Sequence, residues 1–425
     1  LAACQPETTT VVETVIVEGT PQVVEVEAQP DVVMPDTLVI CIGQEPDNLY
    51  VYGTDMLAAS QVQEAVYDGP IDNRSFGYQG VIFEKLPSLA DGDALLNSVT
   101  VNEGDTIVDA SASPATLEVG MTIRPAGCNA ADCEIAYEGG AVEMDQMVVT
   151  FTLLPGLMWS DGTPLTTADS VYAWNLAADP DTPASKYTID RSTSYEALDD
   201  LTIVWTGLPG YIDSLYFTNF WSPLPEHVYG QFTAIELLEA EESARTPMGW
   251  GPYVIDEWVA GESFTLHKNE NYWRADEGLP YFDNLVYRLV GENSNANIAA
   301  ILSGECDIVD QTSHLDDQSE LLLELQNAGQ VQATFVTGTV FEHADIGINP
   351  VSYDDGYSQA GGDRPAFFND VRTRRAIAMC MDRQAVVDTV MFGQSVVLHS
   401  YLPPQHPLFN ADVTQYPFDV EAGSA

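Results

Sequence analysis

Positive charge is what this chain has least of. Against 65 acidic residues stand 14 basic ones, and only three of those are lysines, Lys85, Lys186 and Lys268; the formal net charge is −51. A field of that sign repels phosphate and anionic headgroups, which argues against nucleic acid and anionic membrane surfaces as partners. The acids are spread along the whole chain rather than gathered, so they read as a surface adapted to high salt and not as a cation-attracting face. Long apolar runs are missing as well, and no stretch approaches the roughly 18 residues of a membrane span. Cysteine is sparse, six in 425 residues, with no Cys-x2-Cys pair and no Cys/His quartet, so no metal site is expected. There is no Gly-x-Ser-x-Gly elbow, no His-Glu-x-x-His, no phosphate loop and no dinucleotide-binding glycine fingerprint. His343 has acidic neighbours, but it reads as a strand-end histidine with a structural partner rather than a ligand. No catalytic residue and no cofactor is assigned, and the chain is read as a non-enzyme.

What is present is a globular composition, 45% hydrophobic, long enough for two or three domains. Gln5 to Pro35 alternates Thr, Val, Glu, Gln and Pro without an aromatic or a basic residue, which predicts an extended, solvated tether. Order starts at Asp36. Thr37 to Ile42 is an apolar run that reads as a buried strand, with Cys41 as a core thiol. Gln61 to Tyr67 reads as a helix, and Met147 to Leu153 alternates as a sheet strand. Cys128 and Cys133 close a short Gly- and Pro-flanked loop that points to a disulfide in an oxidising compartment. Cys306 and Cys380 are open either to pairing with each other or to standing as buried free thiols. Thr166 caps a helix whose third position is Asp169, an acidic form of the capping box. Asn295 is expected to cap another helix, and Asn369 or Asp370 a third. Arg372, Arg374, Arg375 and Arg383 read as helix-surface ion pairing. Between them lies Thr246 to Trp273. Gly249 and Gly251 flank Trp250 and give the backbone access to φ values closed to other residues. Tyr253 to Trp258 and Ser263 to His267 then read as a hairpin, leading to Asn269-Glu270-Asn271-Tyr272-Trp273.

Five of these stretches, in order, resemble one family. They are the Glu45-Pro46-Asp47-Asn48-Leu49 loop with Val66-Tyr67-Asp68-Gly69, the string Trp159-Ser160-Asp161-Gly162-Thr163-Pro164-Leu165-Thr166, the Gly249-to-Trp273 hairpin, the Gly304-to-Ile308 region, and Phe368-Asn369-Asp370-Val371-Arg372 with Asp382-Arg383. Together they resemble the extracellular solute-binding proteins of ABC importers, family 5, which take up oligopeptides, dipeptides and, in some members, nickel or sugars. The resemblance implies an α/β, two-lobed periplasmic-binding-protein-like fold of type II, of the large cluster with an extra N-terminal subdomain, incomplete here at its C-terminus. It divides the chain into a tether (1–35), lobe I (36–70 and 195–270), a subdomain of lobe I (71–194) and part of lobe II (271–425). Position in the resemblance makes Glu45, Asn48, Tyr172, Trp250, Phe341 and Tyr401 the expected cleft-lining residues; Trp250 departs from the small residue the family more often carries. Leu1-Ala2-Ala3-Cys4 resembles a lipobox, which implies acylation of Cys4 and anchoring outside the cell membrane. The implied partners are a peptide or other small solute, permease subunits in the membrane and the lipid anchor, with the protein itself a monomer. An oligosaccharide, nickel or heme receptor, or a structural surface lipoprotein, is the alternative.

Overall fold

The computed structural model describes the backbone of residues 10–17 and 20–27 and, with side chains, residues 36–74, 76–336 and 370–424. Cys4, Phe341, His343 and Asn369 lie outside the described residues. The stretch expected as an extended tether contains a hairpin, β1 (Thr10–Val17) paired antiparallel with β2 (Thr20–Glu27). β1 is mostly β-branched and β2 half so, and that preference for the pleated backbone wins over the repulsion between their acids.

The ordered body begins with β3 (Thr37–Ile42), followed by α1 (Leu57–Val66) and a small hairpin of β4 (Ile71–Arg74) and β5 (Gly77–Gly80). α1 starts ahead of the expected Gln61, because Ala58 and Ala59 extend the buried face that Val62, Ala65 and Val66 continue. Next come β6 (Ala94–Val101), the short pairs β7 (Thr106–Val108) with β8 (Pro114–Thr116) and β9 (Thr122–Ile123) with β10 (Ile135–Ala136), then β11 (Val142–Thr152) and α2 (Thr167–Ala178). β12 (Ser192–Ala197) and β13 (Thr202–Gly207) complete an antiparallel sheet of order β12-β13-β11-β6. In α2 the expected capping box is present, with Asp169 accepting from the Thr166 backbone N–H at 2.8 Å. At the other end of this helix Lys186 donates to the carbonyls of Ala177, Asp179 (2.6 Å) and Thr182 (3.1 Å), so one of the chain's three lysines satisfies its C-terminal carbonyls.

After the short helices α3 (Glu226–Tyr229) and α4 (Glu241–Ala244), the chain returns to β3. β14 (Tyr253–Val259) and β15 (Ser263–Lys268) form the expected hairpin, β15 pairs antiparallel with β16 (Asn284–Leu289), and β16 runs parallel beside β3. α5 (Ser294–Ser303) then leads to β17 (Ile308–Val309), which pairs parallel with the other side of β3 and ends the sheet order β14-β15-β16-β3-β17. Asn293, not Asn295, caps α5 by accepting from the Ala296 N–H at 3.0 Å. α6 (Ser319–Asn327), α7 (Val371–Cys380), α8 (Arg383–Thr389) and α9 (Val420–Ser424) follow among the described residues, with Asp370 and Asp382 as the caps of α7 and α8.

Sheet membership groups the chain differently from the expected division. β16 and β17, expected in lobe II, join the sheet of β3, while β12 and β13 join the strands of 71–194. One buried cluster, containing Ile42, Phe151, Trp159, Trp205, Trp250 and Phe264, draws on both sheets. β3 is sandwiched between two parallel neighbours. Cys41 is not a free thiol: the register sets it opposite Val309, and it is disulfide-bonded to Cys306, just ahead of β17, with the Cα atoms 5.8 Å apart. Cys380 is free and exposed, and Cys128 is bonded to Cys133.

Candidate functional site

The Gly249-Trp250-Gly251 loop lies directly on the C-terminal end of α1. A Cβ on Gly249 or Gly251 would come within 2.0 or 2.5 Å of the Val66 carbonyl oxygen, and the Gly251 N–H donates to that same oxygen at 2.7 Å. Neither glycine has a positive φ. The requirement is therefore close approach of two backbones, not the unusual φ expected from sequence. Trp250 points inward at 1% exposure, donates from Nε1 to the Asp68 carbonyl at 3.0 Å, and meets the Trp159 ring edge-on at 5.5 Å. The end of the hairpin is tied to the same place: Asn269 Nδ2 donates to the Gly251 carbonyl (2.8 Å), Asn271 Nδ2 to the Ser160 carbonyl (2.9 Å) and the Tyr272 hydroxyl to Asp68 Oδ2 (2.6 Å). Three of the motifs read from sequence thus converge into one junction. These hydrogen bonds are made within the protein and the Trp250 ring is buried in the core cluster, while Trp159 Nε1 and Trp273 Nε1 are buried without a hydrogen-bond partner.

The other expected cleft residues do not gather around it. Glu45 accepts from Trp258 Nε1 (2.9 Å) and the Gly261 N–H (3.0 Å), fixing the β14–β15 turn. Asn48 donates to the Leu238 carbonyl and accepts from the Tyr50 N–H, both at 2.7 Å. Tyr172 sits on α2 with its hydroxyl buried and without a hydrogen-bond partner, and burial pushes its phenol up to about 12. Tyr401 is 70% exposed.

A cavity of about 520 Å³ lies instead where β17 meets the later elements. It is lined by Asp307 to Gln311 at β17, by Leu315 and Leu322 next to and on α6, by Val331 to Val336, and by Val390, Met391 and Gln394 just after α8. Residues 390–394 thus meet segments from much earlier in the chain in one wall system. β3, β16 and β17 run parallel, and Asp310 follows the carboxyl end of β17, the end at which open α/β sheets place ligands. Burial pushes the Asp310 carboxyl above its usual range, opposed by hydrogen bonds from the Thr312 hydroxyl (2.6 Å) and N–H (3.1 Å), and its Oδ2 is buried without a partner. Sequence reading missed this cavity. The available signal was the apolar pair Ile308-Val309 between acids at a strand end, a weak one without knowledge that the strand joins β3.

Residues 134–425 match the family model described as bacterial extracellular solute-binding proteins, family 5 Middle. Among curated proteins, the oligopeptide-binding protein AppA of Bacillus subtilis is 25% identical over 276 residues, which cover 63% of this chain and 44% of AppA. The periplasmic oligopeptide-binding protein OppA of Salmonella typhimurium is 26% identical over 277 residues, covering 61% and 47%. The chain thus spans about half the length of these relatives. Among solved structures, the oligopeptide binding protein of Thermus thermophilus complexed with a pentapeptide aligns with a TM-score of 0.59 at 19% identity, covering 91% of this chain and 62% of that one.

Proposed function

The chain belongs to the bacterial extracellular solute-binding proteins of family 5, and on that premise we propose that it captures a peptide-like solute for an ABC importer and delivers it to the membrane permease. The observation that carries the reading is the cavity of about 520 Å³ on the terminal strand of a sheet, within the size range of small-ligand sites. A terminal strand supports main-chain pairing with an extended peptide, and the mixed apolar and acidic lining supports tolerant side-chain pockets. Both sheets are assigned to lobe I and the elements from α6 onward to lobe II, so the cavity sits at their junction. Closure of the lobes turns contacts with both walls into a population shift that the permease reads.

No catalytic role is assigned. No helix among the described residues is long and apolar enough to cross a membrane, and attachment to the outer face of the cell membrane is assigned to an acylated Cys4. The solute reading is tested by thermal melts of the chain in high salt with short peptides, oligosaccharides and divalent metal salts. Peptides are expected to raise the melting temperature, by mass action on the folded state. A rise with sugars or metals alone replaces the peptide, and no rise with any of them overturns solute capture. For the anchor, Cys4→Ser is expected to move the protein from the membrane fraction to the soluble fraction; retention in the membrane fraction rejects it.

A further inference from the structure

We infer that the contact between Phe76 and His406 is a latch that holds the two sides of the cavity together and so sets the open-to-closed balance of the protein. This inference rests on the solute-binding reading above.

Phe76 lies in the turn of the β4–β5 hairpin, where Arg74 faces Gly77, and it is not a glycine although its φ is +65°. A two-residue hairpin loop requires a positive φ of this kind, and the ring that Phe76 carries there has a contact beyond the hairpin. The contact in place is the His406 ring, 4.9 Å away between centroids and inclined at 54°. Each partner is tied to a different body. On one side, the hairpin is held to the segment that follows β13, with Tyr78 edge-on to Phe217 at 5.1 Å. On the other, His406 sits in a turn that fixes its ring: its N–H donates to the Pro403 carbonyl (2.9 Å), and its Nδ1 accepts from the Leu408 N–H (3.0 Å). The segment carrying that turn is clamped to α8 by Arg383, which donates to the carbonyls of Leu398 (3.1 Å) and Tyr416 (2.7 Å).

The residues directly after α8, Val390, Met391 and Gln394, line the solute cavity together with β17. A movement that draws the α8 body away from β17 therefore carries the His406 turn with it, and the Phe76–His406 contact breaks. A single aromatic contact contributes little energy, so the latch biases the balance rather than locking the cavity shut.

The test measures distance in the solute-free chain. Spin labels are placed at Leu89→Cys, on the first body, and Val386→Cys, on α8, both exposed, in a Cys4→Ser, Cys380→Ser background. Phe76→Ala and His406→Ala are each expected to shift the open-to-closed ratio about two- to tenfold toward longer distances, the range of an aromatic pair's coupling. The double variant is expected to shift it no further than either single one, and Phe76→Tyr to restore the parent distribution. Circular dichroism on each variant verifies folding. Unchanged distributions in the folded alanine variants, or strictly additive shifts, overturn the latch. Because no solute is present, this outcome is separate from the melts: peptides that stabilise the chain while the distances stay fixed reject the latch alone.

Discussion

Trp250 is the residue for which side-chain chemistry and position give opposite readings. A tryptophan between two glycines suggests an exposed platform; in the fold its ring fills a junction between Trp159 and Tyr67 and its Nε1 is satisfied by the Asp68 carbonyl. Trp250→Phe removes that hydrogen bond and leaves unfilled volume, which is expected to cost about 1–3 kcal/mol in urea denaturation. The peptide-induced rise in melting temperature is expected to stay at its parent value. A lost or altered solute response at unchanged stability would return Trp250 to the cleft. Gly249 and Gly251 make the same point from the backbone side, since what they supply is room for the Val66 carbonyl.

At the level of elements, the parallel trio β16-β3-β17 is the feature on which the rest depends. β17 has two residues and a single partner strand, too little ladder to hold an edge by itself. The Cys41–Cys306 bond, spanning 265 positions in sequence, secures it. Replacing both cysteines by alanine is expected to lower stability by about 2–5 kcal/mol, the range for loss of a native disulfide, read by denaturant melts of the parent and the double variant. Because β17 walls the cavity, the variant is also expected to show a smaller peptide-induced stabilisation than the parent. Equal melts would mean that strand pairing alone holds β17. Capping shows how far local signals reach. Thr166 with Asp169, Asp370 and Asp382 are readable because each satisfies helix N–H groups within its own turn. The start of α5 is set two residues earlier than Asn295 suggests, since Asn293 and Asn295 offer the same cap chemistry and only the path out of β16 chooses between them.

For the whole molecule, charge is the dominant fact. A net −51 on 425 residues makes every compaction step work against self-repulsion, and few bases offset it, so screening is expected to matter more than any single ion pair. Raising sodium chloride from about 0.1 M to about 2 M, where the Debye length falls to a few ångströms, is expected to raise the melting temperature by several degrees. A flat or falling response would reject the high-salt reading of the surface. The sequence by itself determined most of what depends on neighbours in the chain: the turns, most strand and helix types, most caps, the excess of acid, and the ordered motifs that mark the family. It did not reach the partnerships between distant segments. That Cys41 meets Cys306, that Phe76 meets His406, that three motifs converge around Trp250, and that β17, residues 331–336 and residues 390–394 enclose one cavity were decided only by tertiary structure. The physical reason is that each of these depends on strand order and on which backbones approach closely, and residue type at one position carries no record of either.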